Sequence, residues 1–182
     1  SRGNATAKDI DAFKTKVQIS GGFYIGRYEA RKDSSGAITE KGTDKVYNWV
    51  TQLQAASQAQ NMYNSNKFTS DLMNSYAWDT AIVYIQKFSE DTDYSRQDGY
   101  SINSSLTNTG VNGDELCKIN DMASNTYEWT TEYSTYTVSS YANPCTIRGG
   151  YCNLSYCYTS YRNCSSATSS GEYCAFRPTL YM

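Results

Sequence analysis

The cysteines and tyrosines near the carboxyl end are the residues whose types and spacing could do chemistry. Residues 151–174, YCNLSYCYTSYRNCSSATSSGEYC, hold five Tyr, four Cys, six Ser, two Thr and two Asn, with Arg162 and Glu172 as the only charges. Tyr offers a large amphipathic surface with few rotatable bonds to freeze, and Ser, Thr and Asn add short, adaptable hydrogen-bonding groups. The composition is typical of a recognition surface like that of an antibody.

Catalytic and metal chemistry is restricted by residue types. The sequence contains no His, which removes His-based triads, general bases and metal ligands, so any catalysis would rest on Cys, Tyr, carboxylates or Arg. The six Cys form an even set that could pair, as Cys117 with Cys145, or could be small buried side chains. The spacing of Cys152 and Cys157 differs from the C-x2-C of zinc knuckles.

Charge and hydropathy exclude further classes of function. The formal net charge is −2 and the isoelectric point about 5.1, with Lys and Arg scattered, so we expect no nucleic-acid partner. No apolar run approaches the roughly 18 residues of a membrane span, and the first residues lack the apolar core of a signal peptide. We therefore expect neither direct membrane insertion nor a secretion signal in this chain.

Periodicity predicts how the chain positions these residues. The length of 182 residues favours one domain, predicted over 17–182, with residues 1–16 as an N-terminal appendage or linker. Residues 17–30 alternate apolar and polar side chains and predict one or two strands, and the polar stretch 31–45 predicts a surface loop.

Two amphipathic helices are predicted in the middle of the chain. The first spans 49–63, with apolar positions that include Leu53. The second spans about 70–88, with Ser70 as its cap and a buried stripe that includes Phe88. A long loop and short strands between turns follow. Helices followed by β structure indicate an α+β domain.

Three ordered motifs frame the tyrosine-rich segment: DMASNTYEW at 121–129, RGG at 148–150 and FRP at 176–178. Their order resembles the formylglycine-generating-enzyme (sulfatase-modifying factor) branch of the C-type lectin fold. GGFYIGRYEA and SYAWDTAIVYIQKF are similar to the first strand and second helix of that branch. The resemblance covers roughly 17–182 and implies an α+β, C-type lectin-like domain with two helices and short antiparallel strands.

Within that branch the chain looks like the variable proteins that retroelements diversify in phages and bacteria, in which a variable segment lies between RGG and an FRP-type ending. Such diversification resembles random substitution at the adenines of AAC-type codons, which cannot produce Lys, Gln, Glu, Met or Trp. Residues 151–174 contain none of these except Glu172. The resemblance implies a non-enzymatic receptor-binding or adhesin-type protein, on a phage virion or bacterial cell surface.

The resemblance places a hypervariable ligand-binding surface in residues 151–174. Its partner would be a protein or glycan on a cell surface, no cofactor is required, and an oligomer is compatible with the sequence. The alternative is that the tyrosines are ordinary sheet residues. The predicted ligand-binding residues are Tyr151, Cys152, Asn153, Leu154, Tyr156, Cys157, Tyr158, Tyr161, Asn163, Cys164, Tyr173 and Cys174.

The same resemblance carries an enzymatic alternative. Formylglycine-generating enzymes bind copper through a Cys pair near their RGG-like motif, and Cys152 and Cys157 resemble that pair in spacing. Here the pair falls two residues closer to the double Gly, and the chain is much shorter than those enzymes. The alternative function is a small copper-dependent oxidase.

A calcium site is also implied by the resemblance. Asp121 and Glu128 would supply carboxylates, and Ser124 and Thr126 carbonyl oxygens, around a hard cation. The competing interpretation is that Glu128 only braces the turn before Trp129. The remaining motif residues are interpreted as scaffold: Arg148, Gly149, Gly150, Arg177 and Pro178.

Overall fold

The computed structural model describes residues 9–38, 45–63, 65–138 and 141–182. In these ranges the helices are α1 (Ile10–Ser20), α2 (Gln52–Met62), α3 (Ser75–Phe88) and α4 (Gly99–Ile102), with a 3₁₀ helix at Tyr94–Arg96. The strands are β1 (Tyr24–Ile25), β2 (Arg31–Asp33), β3 (Gly36–Ile38), β4 (Thr69–Leu72), β5 (Glu115–Leu116), β6 (Ile119–Asn120), β7 (Tyr127–Tyr133), β8 (Thr137–Val138), β9 (Tyr141–Ala142), β10 (Cys145–Arg148), β11 (Arg162–Ser165), β12 (Cys174–Ala175) and β13 (Pro178–Tyr181).

Helix α1 lies where the sequence predicted an appendage followed by strands. Asp9 caps it by accepting from the Ala12 N–H at 2.8 Å, and Gly21 ends it with a φ of 68°. Phe13 lies edge-on to Phe23, with ring centroids 5.2 Å apart, in the core. The strand prediction for residues 17–20 is therefore wrong, and the predicted boundary at residue 17 falls within a helix.

Helix α2 confirms the first helix prediction with a later start. Thr51 and Gln54 form a capping box at its N-terminus. Leu53, one of the apolar positions that predicted the helix, is 49% exposed, because other side chains face the interior instead. The buried residues of this helix are Gln52, Ala55, Ala56 and Ala59.

Helix α3 begins later than predicted. Ser70 lies in β4, which pairs with β13, and Asn74 is the actual N-cap, accepting from the N–H groups of Tyr76 and Ala77. Phe88, predicted to be buried, is 62% exposed. The rest of the predicted stripe on this helix is buried or partly buried: Tyr76, Trp78, Ile82 and Ile85.

Two main sheets hold the domain together. One has three antiparallel strands in the order β1-β13-β4, and the other has four in the order β11-β10-β7-β12, with β12 parallel to β7. The predicted loop at 31–45 contains the β2–β3 hairpin, and the long loop after residue 89 contains α4 and the 3₁₀ helix. Strand β11 lies within the tyrosine-rich segment, and β12 begins at the last residue of that segment, Cys174.

The buried apolar side chains form two clusters. The first includes Met73, Trp78, Ile82, Ile85, Tyr94, Met122 and Tyr181. The second includes Val50, Leu72, Trp129, Cys145, Ile147 and Phe176. Neither contains any of the tyrosines of residues 151–174, although Ala167 and Cys174 pack against the second cluster.

None of the helices in the described ranges combines the length and the apolar character needed to cross a bilayer.

Candidate ligand-binding surface

The tyrosine-rich segment leaves and rejoins the four-stranded sheet. Strand β10 leads into it, and β11 returns antiparallel beside β10, with Arg148 opposite Arg162. The double glycine makes the intervening turn. Gly149 has a φ of 85°, and a Cβ on Gly150 would lie 2.3 Å from the Ala123 carbonyl oxygen and 2.4 Å from that of Cys157. Only glycine fits so close to two backbone oxygens, which explains the RGG motif.

Backbone hydrogen bonds fix the loop between this turn and β11. The Cys152 N–H donates to the Asn125 carbonyl at 3.3 Å, and the Thr159 N–H donates to the Gln97 carbonyl at 2.9 Å. The buried indole N–H of Trp78 donates to the Thr159 carbonyl at 3.0 Å. Since these bonds use main-chain atoms of the loop, they do not depend on which side chains the exposed positions carry.

Several predicted ligand-binding residues point into solvent. Tyr156 is 61% exposed and Tyr158 is 43% exposed, and Asn153 and Asn163 are exposed as well. The remaining non-cysteine positions and two of the thiols are partly buried: Tyr151, Leu154, Tyr161, Tyr173, Cys164 and Cys174. Residues 151–174 therefore combine projecting side chains with a half-buried set.

Four half-buried tyrosines form a contiguous array. Tyr127, on β7, lies with its ring centroid 4.5 Å from that of Tyr151 and 6.0 Å from that of Tyr161. Tyr151 is in turn 5.0 Å from Tyr173. Burial is the main cause that raises the pKa of Tyr151 and of Tyr161, and nearby Tyr156 adds to both.

The sequence interpretation missed Tyr127. It lies outside residues 151–174, in a strand that pairs with both β10 and β12. Strand pairing of this kind cannot be obtained from the local sequence, so no signal in NTYEW pointed to it. The surface therefore includes a ring from the scaffold.

The structure corrects the prediction that two of the cysteines lie on the ligand-binding surface. The side chains of Cys152 and Cys157 are fully buried, because the loop turns inward at both positions. The Cys157 Sγ lies 2.7 Å from the Tyr127 hydroxyl, and burial raises the pKa of Cys152 to about 11. Neither thiol is therefore open to solvent or to a substrate.

Glu128 has an ion-pair partner. The Arg177 Nε donates to its two carboxylate oxygens at 2.8 and 2.7 Å, and both side chains are buried. Arg177 also donates to the carbonyls of Gly26 and Asn120, as its predicted scaffold role requires. Glu128 therefore forms a buried ion pair with Arg177, and its two interpretations, as a brace of the turn and as a calcium ligand, stay predictions.

Asp121 is surrounded by donors. It accepts from the Gly110 N–H, from the Thr109 hydroxyl at 3.1 Å and from the Asn112 amide at 3.2 Å. Burial raises its pKa to about 6. Among the residues that the structure describes, no group of three or more His, Cys, Asp or Glu side chains is placed to hold a metal ion. The calcium site stays a prediction.

The comparisons with known proteins bear on the fold. No known family profile matches the sequence, and no curated protein matches it. The chain is similar to PvdO from Pseudomonas aeruginosa, at 12% identity and a TM-score of 0.53, over 94% of this chain and 76% of PvdO. It is also similar to Treponema denticola variable protein 1, at 14% identity and 0.46, and to CarF, at 14% and 0.45. These likenesses cover 85% and 94% of this chain, but the chain spans 62% of the variable protein and 63% of CarF.

The fold class follows from the likeness to PvdO together with the sheets and helices described above. The chain has a mixed α+β, C-type lectin-like fold of the formylglycine-generating-enzyme type, which confirms the prediction from the motifs. At 12% identity the likeness to PvdO shows the fold and nothing about activity, and the other two fall below a TM-score of 0.5 and carry no argument. Function has to be argued from the surface itself.

Proposed function

We propose that the protein binds ligands non-covalently through the exposed side chains of residues 151–174 and is not an enzyme. The observation that carries the proposal is that the main chain of the loop fixes its path while separate side chains face solvent. Main-chain bonds at Cys152 and Thr159 fix its path, while Asn153, Tyr156 and Tyr158 project into solvent. Substitutions at exposed positions usually change stability by less than about 0.5 kcal/mol, so recognition can change while the fold persists.

The tyrosine array supports tight contact with a partner. Binding interfaces concentrate their energy in large, partly buried aromatic side chains at the centre, and tyrosine is enriched among them. Here the rings of Tyr127, Tyr151, Tyr161 and Tyr173 are already held against one another. Little side-chain entropy is lost when such rings are covered. The proposed partner is a protein or glycan on a cell surface.

The origin of the segment is part of the same proposal. We infer that a retroelement diversifies residues 151–174 in a protein carried on a phage virion or bacterial cell surface, because the composition matches substitution at AAC-type codons with Glu172 as the single exception. The surrounding DNA tests this. A near-copy of the coding segment that differs at adenines, beside a reverse transcriptase gene, is the expected finding, and a locus without either contradicts it.

The oxidase alternative is not favoured by any contact of Cys152 or Cys157. Both thiols are buried, and the contact of Cys157 is with the Tyr127 hydroxyl. The same burial that raises the pKa of Cys152 keeps its thiolate population low at neutral pH.

A pair of displayed libraries tests the binding function directly. The first randomises Asn153, Ser155, Tyr156, Tyr158 and Asn163, all of them exposed, and is selected for binding to lysozyme as a test ligand. We expect most members of this library to unfold cooperatively, with a midpoint temperature near that of the parent protein. We also expect the selection to recover specific binders.

The matched control library randomises the buried side chains of Cys152, Cys157 and Thr159. We expect it to yield mainly unfolded chains. If the first library also unfolds, the exposed residues are structural and the proposal fails. If it folds but yields no binder, the surface is not suited to recognition.

A further inference from the structure

We infer that the protein has a second binding site, separate from residues 151–174, which takes an acidic sugar unit. The site is a pocket of about 630 Å³ between the β2–β3 hairpin and the start of α2. Pockets that hold small ligands usually measure about 300–1,000 Å³. The side chains that carry the inference are Lys32, Lys45, Tyr47, Trp49 and Gln58.

Trp49 occupies an unusual backbone conformation. Its φ is 56°, in the left-handed region, where a bulky non-glycine residue is rare and strained. The conformation is held by Gly171 and Glu172, near the end of residues 151–174 of the same chain. The Trp49 N–H donates to the Gly171 carbonyl at 3.0 Å, and the Asn48 side-chain amide donates to the Glu172 carbonyl at 2.6 Å. Strain that the surroundings maintain is most common at functional positions.

The side chain of Trp49 differs from the other two tryptophans. Trp78 and Trp129 are fully buried, and their indole N–H groups donate to backbone carbonyls at 3.0 and 2.8 Å. Trp49 is 64% exposed, and its indole N–H has no partner within the described ranges. The strained backbone therefore presents an open ring with a free donor at the pocket.

The charges and amides around this ring define the ligand. The apolar face of a sugar ring packs on an aromatic ring, and its hydroxyls pair with side-chain amides such as that of Gln58. Lys32 Nζ lies 4.9 Å from the Tyr47 ring centroid, and Lys45 is exposed beside it. The described residues that line the pocket include these two Lys and no acidic side chain. Glu172 contacts Asn48 through its carbonyl and is not among them.

A carboxylate suits this arrangement better than a phosphate group does. Phosphate sites usually combine their Lys or Arg side chains with several converging backbone N–H groups. The pocket offers instead two flexible ammonium groups, one aromatic platform and several amides. A single carboxylate on a polyhydroxylated ring, as in a uronic acid, matches that set.

Tryptophan fluorescence tests the site. Because the other two tryptophans are buried, acrylamide quenching reports mainly on Trp49. The probes are trigalacturonic acid and its neutral methyl ester. We expect the acid to protect Trp49 from quenching and to bind about tenfold more tightly than the ester, the ratio for loss of one charge-assisted hydrogen bond.

Calorimetry on variants completes the test. Trp49→Asn should abolish binding of the acid, because Asn accepts a left-handed φ but has no ring. Phe88→Ser, which removes another exposed aromatic side chain, should leave binding unchanged, and so should the double variant Tyr156→Ser/Tyr158→Ser. The last variant keeps this site distinct from the proposed surface. Equal binding of acid and ester, unchanged binding by Trp49→Asn, or stronger protection by ATP than by the acid would each overturn the inference.

Discussion

Buried carboxylates crowd around one guanidinium group in this protein. Glu29, Asp121 and Glu128 are all fully buried, and Arg177 is the cation that acts on each of them. Burial raises the pKa of Glu29 well above its ordinary value, and the neighbouring Asp121 and Glu128 raise it further. When the pKa of a carboxyl group is higher in the folded state than in the unfolded state, the folded protein loses stability as the pH rises. The reason is that the unfolded chain releases that proton at a lower pH.

Asp121→Asn should therefore become more stable relative to the parent as the pH rises from about 4 to 7. The folded-state pKa of Asp121 is about 6 against an ordinary 3.8, so this stabilising effect is expected to grow by about 2–3 kcal/mol across that window. Urea unfolding at several pH values measures it. The matched control is Asp33→Asn, at an exposed carboxylate. Hydrogen bonds from Ser35 lower the pKa of Asp33. Its relative stability should fall with rising pH, and a change of the same sign in both variants would contradict the argument.

Single residues of the surface were partly predictable from the sequence. The exposure of Tyr156 and Tyr158 follows from a composition too polar to form a core. The burial of Cys152 and Cys157 does not, because whether a small side chain turns inward is decided by the close approach of the loop to Ala123 beneath Gly150. That contact joins residues far apart in the chain.

At the level of elements, the strand that follows the tyrosine-rich segment is held to the middle of the domain by one ion pair. Arg177 precedes β13, pairs with Glu128 of β7 and lies with its guanidinium 5.8 Å from the Trp78 ring centroid. Removing one member of a buried ion pair leaves the other uncompensated and typically costs about 3–5 kcal/mol. The pair therefore links β7, α3 and the approach to β13.

Arg177→Met should lower the free energy of unfolding by about 3–5 kcal/mol at pH 7, measured in urea. The loss should shrink toward pH 5, because without Arg177 the pKa of Glu128 rises and the carboxylate is neutralised. Arg96→Met is the control. It breaks a solvent-exposed pair with Asp93, which is expected to matter by less than about 1 kcal/mol. Equal losses in the free energy of unfolding from the two variants would show that Arg177 does not hold these elements together.

Element boundaries were harder to predict than element types. Ser70 and Asn74 are both good helix caps, and only the pairing of β4 with β13 decides that Asn74 is used. Helix α1 was missed because Phe13 and Val17 are its main apolar anchors, and both pack on residues that come later in the sequence. Long-range pairing, in both cases, overrode the local signal.

At the level of the whole molecule, the double glycine joins a fixed scaffold to an adaptable surface. Gly150→Ala should destabilise the protein by about 1–3 kcal/mol, because the new Cβ would clash with the backbone oxygens of Ala123 and Cys157. Gly171→Ala is the matched control, since its Cβ would meet open space, and it should change stability by less than about 0.5 kcal/mol. Urea midpoints compare the two. A neutral Gly150→Ala would mean that the loop is free to shift.

The position of β13 has a consequence for mutations upstream of it. This strand follows residues 151–174 in the chain, yet it is the central strand of the sheet that also contains β1 and β4. A nonsense or frameshift mutation within residues 151–174 removes the middle of that sheet, so the altered product cannot fold. Folding of the domain therefore itself selects for copies that are translated in frame through the whole of this segment.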